Sequence, residues 1–135
     1  MSRILLDTNA YSHFLRGDRD VLLALSEADT VYLSVFAIGE LYTGFRGGSK
    51  ETHNKEYLKK FMAKPSVEIL KGTVETAEIF SGIKYELKKI GKPIPLNDVW
   101  IAAHTLQTGS LLVTYDHHFH IVPGLRIWDK LKQER

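Results

Sequence analysis

Hydrophobic residues along this chain fall into short unbroken runs, separated by longer stretches in which they recur every three or four positions. Ile4-Leu5-Leu6 is the first run, and it stops at Asp7-Thr8-Asn9, a cluster that favours caps and turns. The pattern predicts a buried strand over about 3–7, handing over to a helix that ends near Gly17. A second helix over about 19–28 carries Val21, Leu22 and Leu25 on one stripe. Thr30-Val31-Tyr32-Leu33-Ser34 is rich in β-branched and aromatic residues and reads as a strand. Ser34 suits the N-cap of a helix that runs through Glu40 and ends around Gly47-Gly48. Residues 50–64 form a polar helix expected to turn Tyr57, Leu58, Phe61 and Met62 inward. Pro65 breaks it, and Val67-Glu68-Ile69-Leu70 gives another short strand. Thr73 caps the clearest helix, in which Val74, Ala77, Phe80, Ile83, Leu87 and Ile90 recur at helical spacing before Gly91. After Pro93-Ile94-Pro95 comes a helix over about 97–108, closed by Gly109. Leu111-Leu112-Val113-Thr114 is a buried strand, and Leu125-Arg126-Ile127-Trp128 is expected to be a last one.

Strands thus alternate with helices, and they are continuous apolar runs rather than alternations. That pattern belongs to a parallel sheet covered on both faces, a three-layer α/β/α domain with short strands. The length, 135 residues, fits a single domain, 1–135. Repeats and low-complexity segments are absent from the sequence. Zero cysteines exclude a disulfide scaffold, a thiolate zinc site and a thiol nucleophile together. The apolar run before Asp7 is too short for a signal peptide, and no stretch approaches the ~20 apolar residues of a membrane span, so the expectation is a cytoplasmic protein with no membrane role. A balance of 18 Lys and Arg against 16 Asp and Glu excludes a histone-like tail but not a local basic patch.

The informative acids are those placed where a charge is awkward. Asp7 ends an apolar strand. Glu40 is the only charge in Val35-Phe36-Ala37-Ile38-Gly39-Glu40-Leu41-Tyr42, Asp98 opens the apolar helix Val99-Trp100-Ile101-Ala102-Ala103, and Asp116 follows the strand at 111–114. Each has a plain structural reading: Asp7 and Asp98 (or Asn97) as caps, Asp116 as a turn residue, Glu40 as a snorkelling or ion-paired side chain. Together they recur at the carboxyl ends of successive strand–helix units, where open parallel sheets bind ligands. Four converging carboxylates repel, and a hard cation removes that penalty. Mg²⁺ or Mn²⁺ suits an all-oxygen site, and such ions support phosphodiester hydrolysis.

These residues carry a resemblance. Asp7-Thr8-Asn9 after a short strand, Glu40 in Ser34-Val35-Phe36-Ala37-Ile38-Gly39-Glu40-Leu41, Asn97-Asp98-Val99-Trp100-Ile101-Ala102-Ala103, and Leu112-Val113-Thr114-Tyr115-Asp116 resemble the PIN domain. The length and the closing Phe119 and Val122-Pro123-Gly124-Leu125 look like the VapC toxins of toxin–antitoxin pairs. The resemblance implies a metal-dependent endoribonuclease acting on unpaired RNA. It also implies a homodimer held inactive by a VapB-like antitoxin. Asp7 and Asp98 would be the principal metal ligands, with Glu40 and Asp116 completing the catalytic site. Asn9 and Thr114 would hold the carboxylates in place. An RNA-processing PIN nuclease without an antitoxin and a non-catalytic PIN-fold binding module are the alternatives. A receiver-type signalling domain lacks its adjacent acids and its mid-chain Asp here, and a haloacid-dehalogenase-type phosphatase would need Asp where Asn9 stands.

His117-His118-Phe119-His120, with His104 elsewhere, forms an incomplete set for a transition-metal site and reads as surface histidines near the pocket mouth. Lys50, Lys55, Lys59, Lys60 and Lys64 on one helix, and Lys84, Lys88, Lys89 and Lys92 at the end of another, are either solvated faces or phosphate contacts. Tyr11, Phe14, Tyr42 and Phe45 read as core or as an interface groove rather than as base-stacking residues.

Overall fold

The structure, a computed structural model, describes residues 2–131. The chain runs β1 (Arg3–Leu6), α1 (Thr8–Leu15), α2 (Arg19–Glu27), β2 (Thr30–Ser34), α3 (Val35–Phe45), α4 (Glu51–Met62), β3 (Val67–Leu70), α5 (Val74–Lys89), α6 (Leu96–Thr108) and β4 (Leu111–Val113), then a short 3₁₀ helix, His117–Ile121. All four strands are parallel, in the order β3-β2-β1-β4. Leu6 pairs with Leu33 on one side and with Val113 on the other. In β1 three successive residues, Ile4, Leu5 and Leu6, are buried, so both faces of the sheet are covered, as the unbroken apolar run requires. The α/β fold expected from the alternating pattern is the one found.

Local chemistry sets the element ends. Asp7, Asp18, Ser34 and Thr73 each accept a backbone N–H as N-caps. Gly109 closes α6 at φ 65°, a left-handed position that a side chain would strain. Helix α6 begins at Leu96 behind Pro95, with no side-chain cap, so neither Asn97 nor Asp98 is occupied as one.

Two expectations are corrected. Residues 125–128 are not a strand but an isolated parallel bridge, Leu112 with Ile127. The reason is length: β4 has three residues, and this stretch pairs only with its centre, through Leu112 N to Arg126 O and Trp128 N to Leu112 O. Tyr57 does not face inward. It is half exposed and meets His53 edge-on, while Leu58 and Phe61 fill the core beside Tyr11 and Phe14. The apolar stripe of α5 is buried only in its C-terminal half, at Ile83 and Leu87, with Val74 and Ile90 exposed.

Candidate active site

The strand order reverses between β1 and β4, because β1 leads to β2 and β3 on one side while the chain returns on the other. Such a switch point opens a crevice at the carboxyl ends of the two strands. Asp7 leaves β1 there, and Thr114 leaves β4 beside it. Asp7 is 4% exposed. Its Oδ1 accepts from Ala10 N at 2.8 Å, the α1 cap, and its Oδ2 accepts the Thr114 hydroxyl at 2.5 Å. Thr114 in turn accepts from Asp116 N at 2.9 Å, so one buried hydroxyl ties two of the acids together. Trp128 Nε1 donates to Thr114 O at 2.6 Å and anchors that segment from behind.

Asp98 projects from the first turn of α6, and Asp116 caps the 3₁₀ helix by accepting from His118 N at 2.9 Å. One ligand atom each of Asp98, Asp116 and His118 lie within 4.8 Å of one another. The His118 Nδ1 atom is 3.0 Å from Asp116 Oδ1 and 3.5 Å from Asp98 Oδ2. Glu40 comes from α3 and accepts the Thr8 hydroxyl at 2.7 Å. Burial pushes the Asp7 carboxyl up to about 6, and the charges of Asp98 and Asp116 add to the effect against the Thr114 and Ala10 hydrogen bonds. Asp98 is also pushed up to about 6, first by burial and then by the charges of Asp116 and Glu40. Asp7 therefore feels Asp98 and Asp116, and Asp98 feels Asp116 and Glu40, on top of the burial that raises both.

Two expected residues behave differently. Asn9 is exposed and makes no hydrogen bond to any of the four carboxylates. Its neighbour Thr8 holds Glu40 instead. Of the histidines, His104 is buried on α6, with Nδ1 2.9 Å from the Ser34 hydroxyl, so it belongs to the core. His118 reaches the acids themselves. Asn9, His13, Tyr115, Asp116, His117 and His118 line an open cavity of about 780 Å³, in which Asp116 is the one of the four acids on the wall.

Residues 4–125 match the family model of the PIN domain. The chain belongs to the PIN domain family. This PIN domain is 31% identical over 129 residues to ribonuclease VapC2 of Haemophilus influenzae, covering 93% of this chain and 96% of that protein. It is 25% identical to a chain of VapBC2 from Rickettsia felis bound to a fragment of its promoter DNA, with a TM-score of 0.81 and 93% and 97% of the two chains covered. DNA-bound VapBC from Salmonella typhimurium gives 24% identity and a TM-score of 0.84, covering 95% and 98%, a likeness of fold. The resemblance read from the four acidic motifs is thereby borne out at the level of family and fold.

The donor set of this PIN domain fits a divalent cation: carboxylate oxygens of Asp98 and Asp116 from separate elements, brought close against their own repulsion with the His118 imidazole beside them, Asp116 and His118 on the wall of an open cavity.

Proposed function

We propose that this PIN domain protein is a divalent-metal-dependent endoribonuclease and the toxin of a VapBC-type pair, with Asp7, Glu40, Asp98 and Asp116 as its catalytic site. The observation that carries the reading is the meeting of Asp98 and Asp116 at the sheet's switch point, in front of buried Asp7, in a chain 31% identical to a ribonuclease. Asp7 and Asp98 would be the principal ligands of Mg²⁺ or Mn²⁺, with Asp116 beside them and Glu40 acting on a metal directly or through water. The ion would offset charge developing on the scissile phosphodiester and lower the pKa of an attacking water.

The protein's own part is positioning. Thr114 fixes Asp7 and Asp116 through one hydroxyl, and Thr8 fixes Glu40. Asn9, His13 and Tyr115 offer the cavity's polar wall to an unpaired RNA strand. The His13 imidazole lies 3.5 Å from Asp18, which also accepts the Tyr115 hydroxyl, so this wall is braced on α2. A VapB-like antitoxin and a second copy of the chain are the partners this reading carries. No helix among the described residues is long and apolar enough to cross a membrane, and RNA and antitoxin would be met in the cytoplasm.

Purified protein should cut single-stranded RNA with Mg²⁺ or Mn²⁺ and stop in EDTA. Equal cleavage in EDTA would overturn the metal-dependent reading. Expression should arrest growth, and co-expression of a cognate VapB-like antitoxin should relieve the arrest. Arrest without relief would point to an RNA-processing nuclease lacking an antitoxin.

A further inference from the structure

His118 is the one cavity histidine whose ring nitrogen faces the acids. The 3₁₀ turn brings this about: Asp116 caps it by accepting His118 N, which curls the segment so that the imidazole folds back over the same carboxylate. Nδ1 then stands between Asp116 Oδ1 at 3.0 Å and Asp98 Oδ2 at 3.5 Å. Ligands about 2.1 Å from one ion and adjacent in an octahedral shell are about 3 Å apart. The nitrogen and Asp116 Oδ1 thus already have the spacing of neighbouring ligands, and Asp98 Oδ2 lies about half an ångström beyond it. The other histidines of the cavity are differently engaged. His13 pairs with Asp18 on the far wall, and His117 Nδ1 is buried without a partner, 5.6 Å ring to ring from His120.

We propose that His118 is a nitrogen ligand of the divalent cation held by Asp98 and Asp116, and that it biases the site toward Mn²⁺ over Mg²⁺. The inference rests on the metal-dependent reading above. Mg²⁺ takes oxygen ligands and surrenders water reluctantly, whereas Mn²⁺, although the weakest nitrogen binder of the first transition series, is larger, less tightly hydrated and accepts an imidazole more readily than Mg²⁺ does. One nitrogen among carboxylates therefore adds affinity for Mn²⁺ and little for Mg²⁺. Coordination uses the Nδ1 lone pair and leaves the ring proton on Nε2, which the half-exposed side chain presents to water. The competing role is a clip that pairs with the acids in the free protein and swings into solvent when a cation arrives.

Titrating Mn²⁺ into the whole protein and following the loss of the free-ion EPR signal measures binding. Pulsed EPR of the bound ion then reads any coordinated nitrogen. The expected result is a ¹⁴N modulation in the wild type, retained in His13→Gln and His117→Gln and lost in His118→Gln. Mn²⁺ affinity should fall about tenfold or more in His118→Gln, on the scale of lost metal-site support. Mg²⁺ affinity, measured by competition, should change less than about twofold. A bound ion with no ¹⁴N modulation, or one unchanged in His118→Gln, overturns the role of His118 and leaves the carboxylate site standing. Failure of Mn²⁺ to bind, with Asp98→Asn indistinguishable from wild type, overturns both.

Discussion

Asp7 does two things at once, and they pull its energetics apart. As the cap of α1 it accepts a backbone N–H, which favours the charged form, yet it is buried beside two other acids, which disfavours that form more strongly. Its folded pKa of about 6 lies above its ordinary value of 3.8, so the folded state holds the proton more tightly than the unfolded state does. Stability from this group is therefore fully present at pH below about 4 and is lost as pH rises through about 6. The loss is of the order of 3 kcal/mol, and a bound metal ion would offset it. Asp7→Asn keeps the cap acceptor and removes the charge. It should abolish cleavage and, in EDTA, raise the melting temperature by several degrees at pH 7.5 but hardly at pH 4. A variant less stable than wild type at pH 7.5 would count against this account. Thr114→Val tests the bracing hydroxyl. Without it Asp7 titrates higher still and Asp116 N loses its acceptor, so the acid limb of the pH–activity profile should move upward and activity fall about ten- to hundredfold. An unmoved profile would show that Thr114 is packing alone.

Among the elements, α3 shows how the fold delivers a site residue. Ser34 ends β2, caps α3 through Phe36 N at 3.1 Å, and meets His104 of α6 at 2.9 Å, all while fully buried. One hydroxyl thus locks the helix that carries Glu40 to the helix that carries Asp98. Ser34→Ala removes a cap and leaves His104 Nδ1 without a partner, which should cost about 2–3 kcal/mol in urea unfolding. Ser34→Ala combined with His104→Leu should cost less than the two single changes added, because the orphaned nitrogen is gone. Additive losses would show that the two side chains do not depend on each other. The capping role of Ser34 was legible in the sequence, as were the four strands of the sheet though not the absence of a fifth at 125–128, because unbroken apolar runs have one natural home in a sheet covered on both sides. The four proposed site acids stood out for the converse reason: each is a charge where the local pattern has no use for one. What the pattern lacked was rotation and return. Thr8 and Asn9 are adjacent, but successive residues on a helix turn by about 100°, so one meets Glu40 and the other solvent. His118 reaches Asp98 only because the 3₁₀ turn folds the chain back, a geometry that spacing alone does not encode. Tyr57 shows the limit of periodicity, since an apolar position at the edge of a stripe can point either way.

The whole molecule separates its charges. If the four proposed site acids of the 16 are set apart, 12 remain against 18 Lys and Arg over the rest of the chain, so on that reading an apparently neutral balance hides an acidic centre in a basic surround. Which lysines face the substrate follows from the shape of the surface. A second cavity of about 370 Å³, between Lys84 and Lys88 of α5, shares Pro93 and Ile94 with the cavity that Asp116 lines. A strand leaving the site along that wall passes the two lysines. The cavity beside α4, lined by Tyr42, Arg46 and Lys59, shares no residue with the site cavity. Phosphate contacts release counterions, and each contact on a single strand steepens the salt dependence of binding by about 0.7 in log–log slope. In an Asp98→Asn background, expected to bind RNA without cutting it, Lys84→Gln combined with Lys88→Gln should flatten that slope by roughly 1.4. The same pair of changes at Lys60 and Lys64 of the α4 end should leave the slope within error. Fluorescence anisotropy on a single-stranded oligonucleotide between low and physiological salt makes the comparison directly. Equal slopes for both double variants and the parent would remove α5 from the RNA path, and the basic surround would then act only by raising the local concentration of RNA.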